Sequence, residues 1–155
     1  MNRNNIEAYV LENFEDVHPL DSWGERSFFL NPGRQLKRGT YFATLKEKDG
    51  ENDKASHLDR DGVFRLNMGV SKRRYLSLFS HLPKRPAKGC FIEGGYDFQK
   101  IDAILPHPVY GWMGWACVLN PSHETFEDCK NLLDNAYSKA LKATMKKLSK
   151  LHPDN

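Results

Sequence analysis

The spacing of hydrophobic positions changes along the chain, and each change predicts an element. Ile6, Tyr9, Val10 and Phe14 recur at helical spacing behind Asn4, a capping residue followed three positions later by Glu7, so a first helix is predicted over about 4–14. Short aromatic or β-branched runs follow at Phe28-Phe29-Leu30, Tyr41 to Leu45 and Val63 to Met68. Asn31-Pro32-Gly33, Asp49-Gly50 and Asp61-Gly62 punctuate them with turn chemistry, which predicts antiparallel strands. Ser71 is placed to cap a short helix carrying Tyr75, Leu78 and Phe79, and Pro83 and Pro86 prevent its continuation. Asp97 predicts a second short helix with Phe98, Ile101 and Leu105 on one side, stopped by Pro106. Trp115 to Leu119 fits a buried strand, because Asn120-Pro121 ends the apolar run abruptly. A long helix is predicted from Ser122 to about Leu151, with Phe126, Leu133, Tyr137, Leu141, Leu148 and Leu151 as its apolar stripe. Lys139, Lys142, Lys146 and Lys150 follow another face. This order predicts an α+β fold in which an antiparallel sheet packs with helices.

Composition narrows the class. With 155 residues, of which 39% are hydrophobic, the chain can bury one core, so 1–155 is read as a single domain. The 23 basic and 20 acidic residues leave a net charge of +3, which as a total names no partner. No apolar run reaches the ~18 residues of a membrane span, and Met1 to Asn5 is too polar for a secretion signal, so a cytoplasmic protein without membrane association is expected. Cys90, Cys117 and Cys129 lack a C-x-x-C spacing, and the six histidines are scattered. No phosphate-loop lysine motif, dinucleotide glycine fingerprint, H-E-x-x-H or G-x-S-x-G elbow is present. Neither a cofactor nor a metal site is predicted, and no catalytic residue can be assigned.

Several motifs together resemble a bacterial family of unknown function: Phe28-Phe29 with Asn31-Pro32, Tyr41 to Thr44, Leu58-Asp59-Arg60, Val63 to Asn67, Pro106 to Tyr110, and Val118 to Pro121. More distantly, the element order and Leu132 to Tyr137 in the last helix resemble the MmcQ/YjbR-like superfamily. That resemblance implies a frataxin-related α+β topology and a proposed role in DNA binding.

Charge distribution locates the candidate chemistry. Glu47 to Gly62 holds six acids and three bases, a long polar surface connection that is a candidate functional loop. Gly62 to Ile92 then has no acid and seven cations: Arg65, Lys72, Arg73, Arg74, Lys84, Arg85 and Lys88. Gly69 permits a tight turn, Ser71 opens a helix, and Lys72, Arg73 and Arg74 crowd its positive end, where a bound anion would offset their repulsion. A phosphate- or carboxylate-bearing small molecule, or nucleic acid, is the expected partner. The alternative is a small-molecule pocket or enzyme. There Arg65 and Asn67 share one face of a strand, Asp59 or Asp61 pairs Arg65, and His107, held between Pro106 and Pro108, stands beside Tyr110 and Trp112 as the acid/base. A protein partner gripping an exposed Trp112 is a third class.

Overall fold

The computed structural model describes residues 1–152. Helix α1 (Arg3–Asn13) precedes strands β1 (Val17–Ser22), β2 (Glu25–Leu30), β3 (Thr40–Lys46) and β4 (Arg65–Gly69). Helix α2 (Lys72–Phe79), strands β5 (Ile104–Pro106) and β6 (Trp115–Leu119), and helix α3 (His123–Leu151) complete the order. The strands form one antiparallel sheet in the order β1-β2-β3-β4-β6-β5. The α+β fold is thus as expected, and no described helix is long and apolar enough to cross a membrane.

Alternation along the strands divides the sheet into two unlike faces. Phe28, Leu30, Ala43, Leu45, Leu66, Met68 and Val118 join Ile6 and Val10 of α1 and Phe126, Leu133, Ala136 and Ala140 of α3 in the main core. Each fully buried Leu, Ile or Phe contributes about 1.5–3 kcal/mol there. Phe42 joins them because a bulge lets Phe28 pair Ala43 while Phe29 pairs Tyr41, which leaves Phe42 an extra residue free to meet Phe14 and Tyr137. The other face carries Thr44 opposite Asn67 and Lys46 opposite Arg65, with Cys117 beyond Asn67. Residues 47–64 and the turn after β5 lie over it, so this face is covered too, and its polar side chains have to find partners inside.

Several predicted details are corrected. The cap of α1 is Asn2, in a reciprocal box with Asn5, because Glu7 turns instead to Arg3 and to Arg26 of β2. The helix expected after Asp97 does not form. Asp102 adopts φ 62°, its amide bonds Leu119 O and its carboxylate takes the amide of Ser122, while Ile104 and Leu105 pair with β6 as strand β5. Leu141 and Leu151 are exposed on α3, and Ala136, Ala140 and Thr144 are buried instead. Small side chains let this helix lie close to β3, where Thr144 Oγ1 meets Thr40 Oγ1 at 3.0 Å. Gly69 makes no turn. It is a strand residue beneath Trp115, and a Cβ built on it would stand 2.7 Å from the indole.

Candidate functional site

Two of the predicted groupings become specific arrangements on opposite sides of the sheet. The first is built on β4. Arg65 is 0% exposed, and a buried guanidinium needs every donor satisfied. Its Nε donates to Asn67 Oδ1 at 2.7 Å, Nη1 to Asp53 Oδ1 at 3.0 Å and Ser56 Oγ at 2.8 Å, and Nη2 to Asp53 Oδ2 at 2.5 Å. Asp53 is therefore the partner that Asp59 or Asp61 was expected to be. Asp59 instead accepts the amide of Asp49, whose own carboxylate accepts the amide of Leu58, so these acids fold residues 49–59 onto themselves and deliver Asp53 inward. On the other side Asn67 Nδ2 donates to Thr44 Oγ1 at 2.9 Å, and Thr44 Oγ1 donates to Glu25 Oε2 at 2.9 Å. The network spans β2, β3, β4 and the 47–64 connection.

His107 closes the network from the far side and is itself buried. Its Nδ1 accepts the amides of Val109 at 3.1 Å and Tyr110 at 3.0 Å, while Nε2 lies 3.2 Å from Arg65 Nη2 and 4.0 Å from Asp53 Oδ2. Two amides at Nδ1 require that nitrogen to be unprotonated, which assigns the neutral ring with its hydrogen on Nε2. Burial, then the positive charge of Arg65, holds the imidazole well below its ordinary value of 6.5, against the pull of Asp53. Burial pushes the Asp53 carboxyl up, and the hydrogen bonds and charge of Arg65 outweigh it to leave the group below 3.8. Cys117, beside Asn67, is raised to about 12 by burial, as an unreactive core thiol should be. The structure thus brings Arg65, Asn67 and His107 together away from solvent. Tyr110 stands half-exposed at their edge, its ring 5.0 Å from that of His107. Trp112 is outside this network, and the guanidinium of Arg85 lies over its ring at 4.9 Å.

The second arrangement is at the start of α2, on the helix-covered side. Ser71 Oγ accepts the amide of Arg74 at 3.2 Å, and the Ser71 amide donates to Asn135 Oδ1 of α3 at 2.7 Å. Asn135 Nδ2 returns a bond to Ser71 Oγ at 3.2 Å, so one α3 side chain clamps the cap. Four residues on, Lys139 Nζ donates to Val70 O at 3.2 Å, and burial lowers its pKa. Lys142, Lys146 and Lys150 continue from Lys139 at steps of three and four, which puts them on one stripe roughly 16 Å long. Lys72 and Arg73 are exposed beside its upper end, and Arg74 is half-buried. Among the described residues, none of these seven cations has a carboxylate within 4.0 Å; the ion pairs of the chain lie elsewhere. No group of three or more metal-ligating side chains comes together among the described residues.

Sequence reading misses the contributors that come from elsewhere in the chain: Glu25, Thr44, Asp53 and Ser56 in the network, and Asn135 at the clamp. Thr44 and Lys46, polar residues alternating with the apolar Ala43 and Leu45, are the local signal that a polar interior faces them. A family model described as "Family of unknown function (DUF6194)" matches residues 1–149. No curated protein and no solved structure matches the chain. From its first helix to nearly the end of α3, the chain belongs to DUF6194, a family of unknown function.

Proposed function

We propose that this chain is a cytoplasmic binding protein for phosphate-bearing anions, and that its polymeric ligand is nucleic acid held along the face formed by the start of α2 and the second half of α3. One observation carries the reading: the Ser71–Asn135 clamp sets Lys72, Arg73 and Arg74 beside the Lys139 to Lys150 stripe, and among the described residues no carboxylate lies within 4.0 Å of any of them. A row of unpaired cations about 16 Å long suits a repeating backbone better than a single small anion. The amides of Lys72 and Arg73, which have no intrahelical acceptor, would add donors for one phosphate. A distant kinship with the MmcQ/YjbR-like group belongs to the same proposal, since that resemblance implies DNA binding. The reading as a pocket built from Arg65, Asn67 and His107 has less support, because all three are buried and Arg65 and Asn67 already spend their donors on Asp53, Ser56 and Thr44.

Filter binding of a short duplex and a single strand over a range of salt concentrations tests this. Affinity should fall steeply with salt, and Lys142→Gln with Lys146→Gln should reduce the logarithmic slope by about 2. Salt-independent binding, or an unchanged slope, would sink the proposal.

A further inference from the structure

Between α2 and β5 the chain runs without helix or strand from residue 80 to 103, a length at which ordered irregular structure is usually functional. Residues 81–94 of this stretch wrap a cleft of about 800 Å³, within the range of small-molecule sites. Its walls mix an apolar lining, Leu82, Pro83 and the exposed Phe91, with His81, Lys84, Arg85 and one acid, Glu93. The wall is rigidly built. Pro83 and Pro86 restrict its backbone, the amide of Cys90 bonds Ala87 O at 2.9 Å, and the amide of Ile92 bonds Pro108 O at 2.8 Å. Arg85 is held as well, because its guanidinium lies over the Trp112 ring at 4.9 Å, a contact in place before any ligand arrives.

We infer that this cleft binds a small organic anion, an apolar body bearing a phosphate or carboxylate, with Lys84 and Arg85 receiving the charge and the exposed Phe91 side holding the body. Neither cation has a carboxylate within 4.0 Å among the described residues, so both are free to meet a ligand. This site is separate from the α2–α3 face and does not rest on nucleic-acid binding.

Cys90 lies in the same cleft and is the one exposed cysteine, whereas Cys117 and Cys129 are buried, so it serves as a built-in reporter. The test compares alkylation of Cys90 by anionic iodoacetate and neutral iodoacetamide, each scaled to the rate on a free thiol. A cationic cleft should favour iodoacetate about tenfold. Lys84→Gln with Arg85→Gln should return the ratio to that of the free thiol, while Lys142→Gln with Lys146→Gln should leave it unchanged. In the wild-type chain phenyl phosphate or benzoate should protect Cys90, and whichever protects at lower concentration identifies the anion. A ratio equal to that of the free thiol, a ratio insensitive to Lys84 and Arg85, or failure of both competitors to protect would each overturn the inference. Continued resistance of Cys117 and Cys129 to alkylation verifies that the variants are folded.

Discussion

Arg65 is the most demanding single residue in the molecule. Its cationic side chain sits in a fully buried strand, and the energetic question is what happens when a partner is lost. Asp53→Asn removes the one carboxylate that Arg65 contacts directly among the described residues while leaving the charge inside, a change that costs about 3–5 kcal/mol in comparable buried pairs. Urea unfolding should show that loss as a lower midpoint with an unchanged slope. His107 adds a pH dependence whose sign follows from its depressed pKa. The unfolded ring takes up a proton below about 6.5 and the folded ring does not, so the unfolded state gains protons and stability falls as the pH drops through that region. The limiting slope is about 1.4 kcal/mol per pH unit. His107→Asn, which can still offer an oxygen to the amides of Val109 and Tyr110, should flatten the profile between pH 6.5 and 5, and a retained slope would count against this role. Asp53 acts lower. Its folded pKa is below 3.8, so its contribution is complete above that value and disappears as the pH falls through the folded one.

At the scale of elements, the β1–β2 hairpin shows what patterning can and cannot reveal. Ser22 pairs Glu25, leaving a two-residue turn of Trp23 at φ 53° and Gly24 at φ 74°. Both values are those of a type I′ turn, which favours Asn-Gly, and Trp23 is 94% exposed with nothing to gain from packing. Trp23→Asn should therefore stabilise the protein, by about 0.5–1 kcal/mol in the same unfolding assay, since Asn tolerates the left-handed region better. Strand β1 was illegible for related reasons. It is an edge strand whose last four residues face water, it contains Pro19, and its turn begins with a tryptophan. The strands β2, β3, β4 and β6 and the capped helices α2 and α3 were legible, because their buried faces impose a period and their caps are local. Phe98, Ile101 and Leu105 misled because their helical spacing comes from different neighbours: Ile101 and Leu105 pair with β6, whereas Phe98 packs against Phe91 and Tyr96. For the candidate site, the shared face of Arg65 and Asn67 could be read from alternation. Which of six acids would reach Arg65 could not, because that depends on how residues 47–62 fold back. The Ser71 cap was visible, and its capture by Asn135, 64 positions away, was not.

Across the whole molecule, the +3 charge is a balance between regions that the fold keeps apart. The first part of α3 holds Glu124, Glu127, Asp128 and Asp134 against Lys130, and from Asn135 to Leu151 there are five lysines and no acid. Because the clamp joins α2 to this second part, segregation along the sequence becomes segregation in space. The sheet organises the other half of the molecule. Strand β4 lies at its centre, between β3, which precedes it, and β6, which the chain reaches only after α2 and the long irregular segment.

That strand order has a consequence for synthesis. When Gly69 leaves the ribosome, one edge of β4 can pair with β3, and the other must wait for Trp115 to Leu119. At about 5–20 residues per second the wait is several seconds, during which an apolar strand edge is open to other chains and His107 has not yet reached Arg65. A chain ending at residue 103 should accordingly self-associate in sedimentation velocity runs to a greater extent than the full chain, and a monomeric fragment would refute this. For such a topology, dependence on chaperones during translation is set by the order in which strands emerge, and the stability of the finished molecule offers no protection against it.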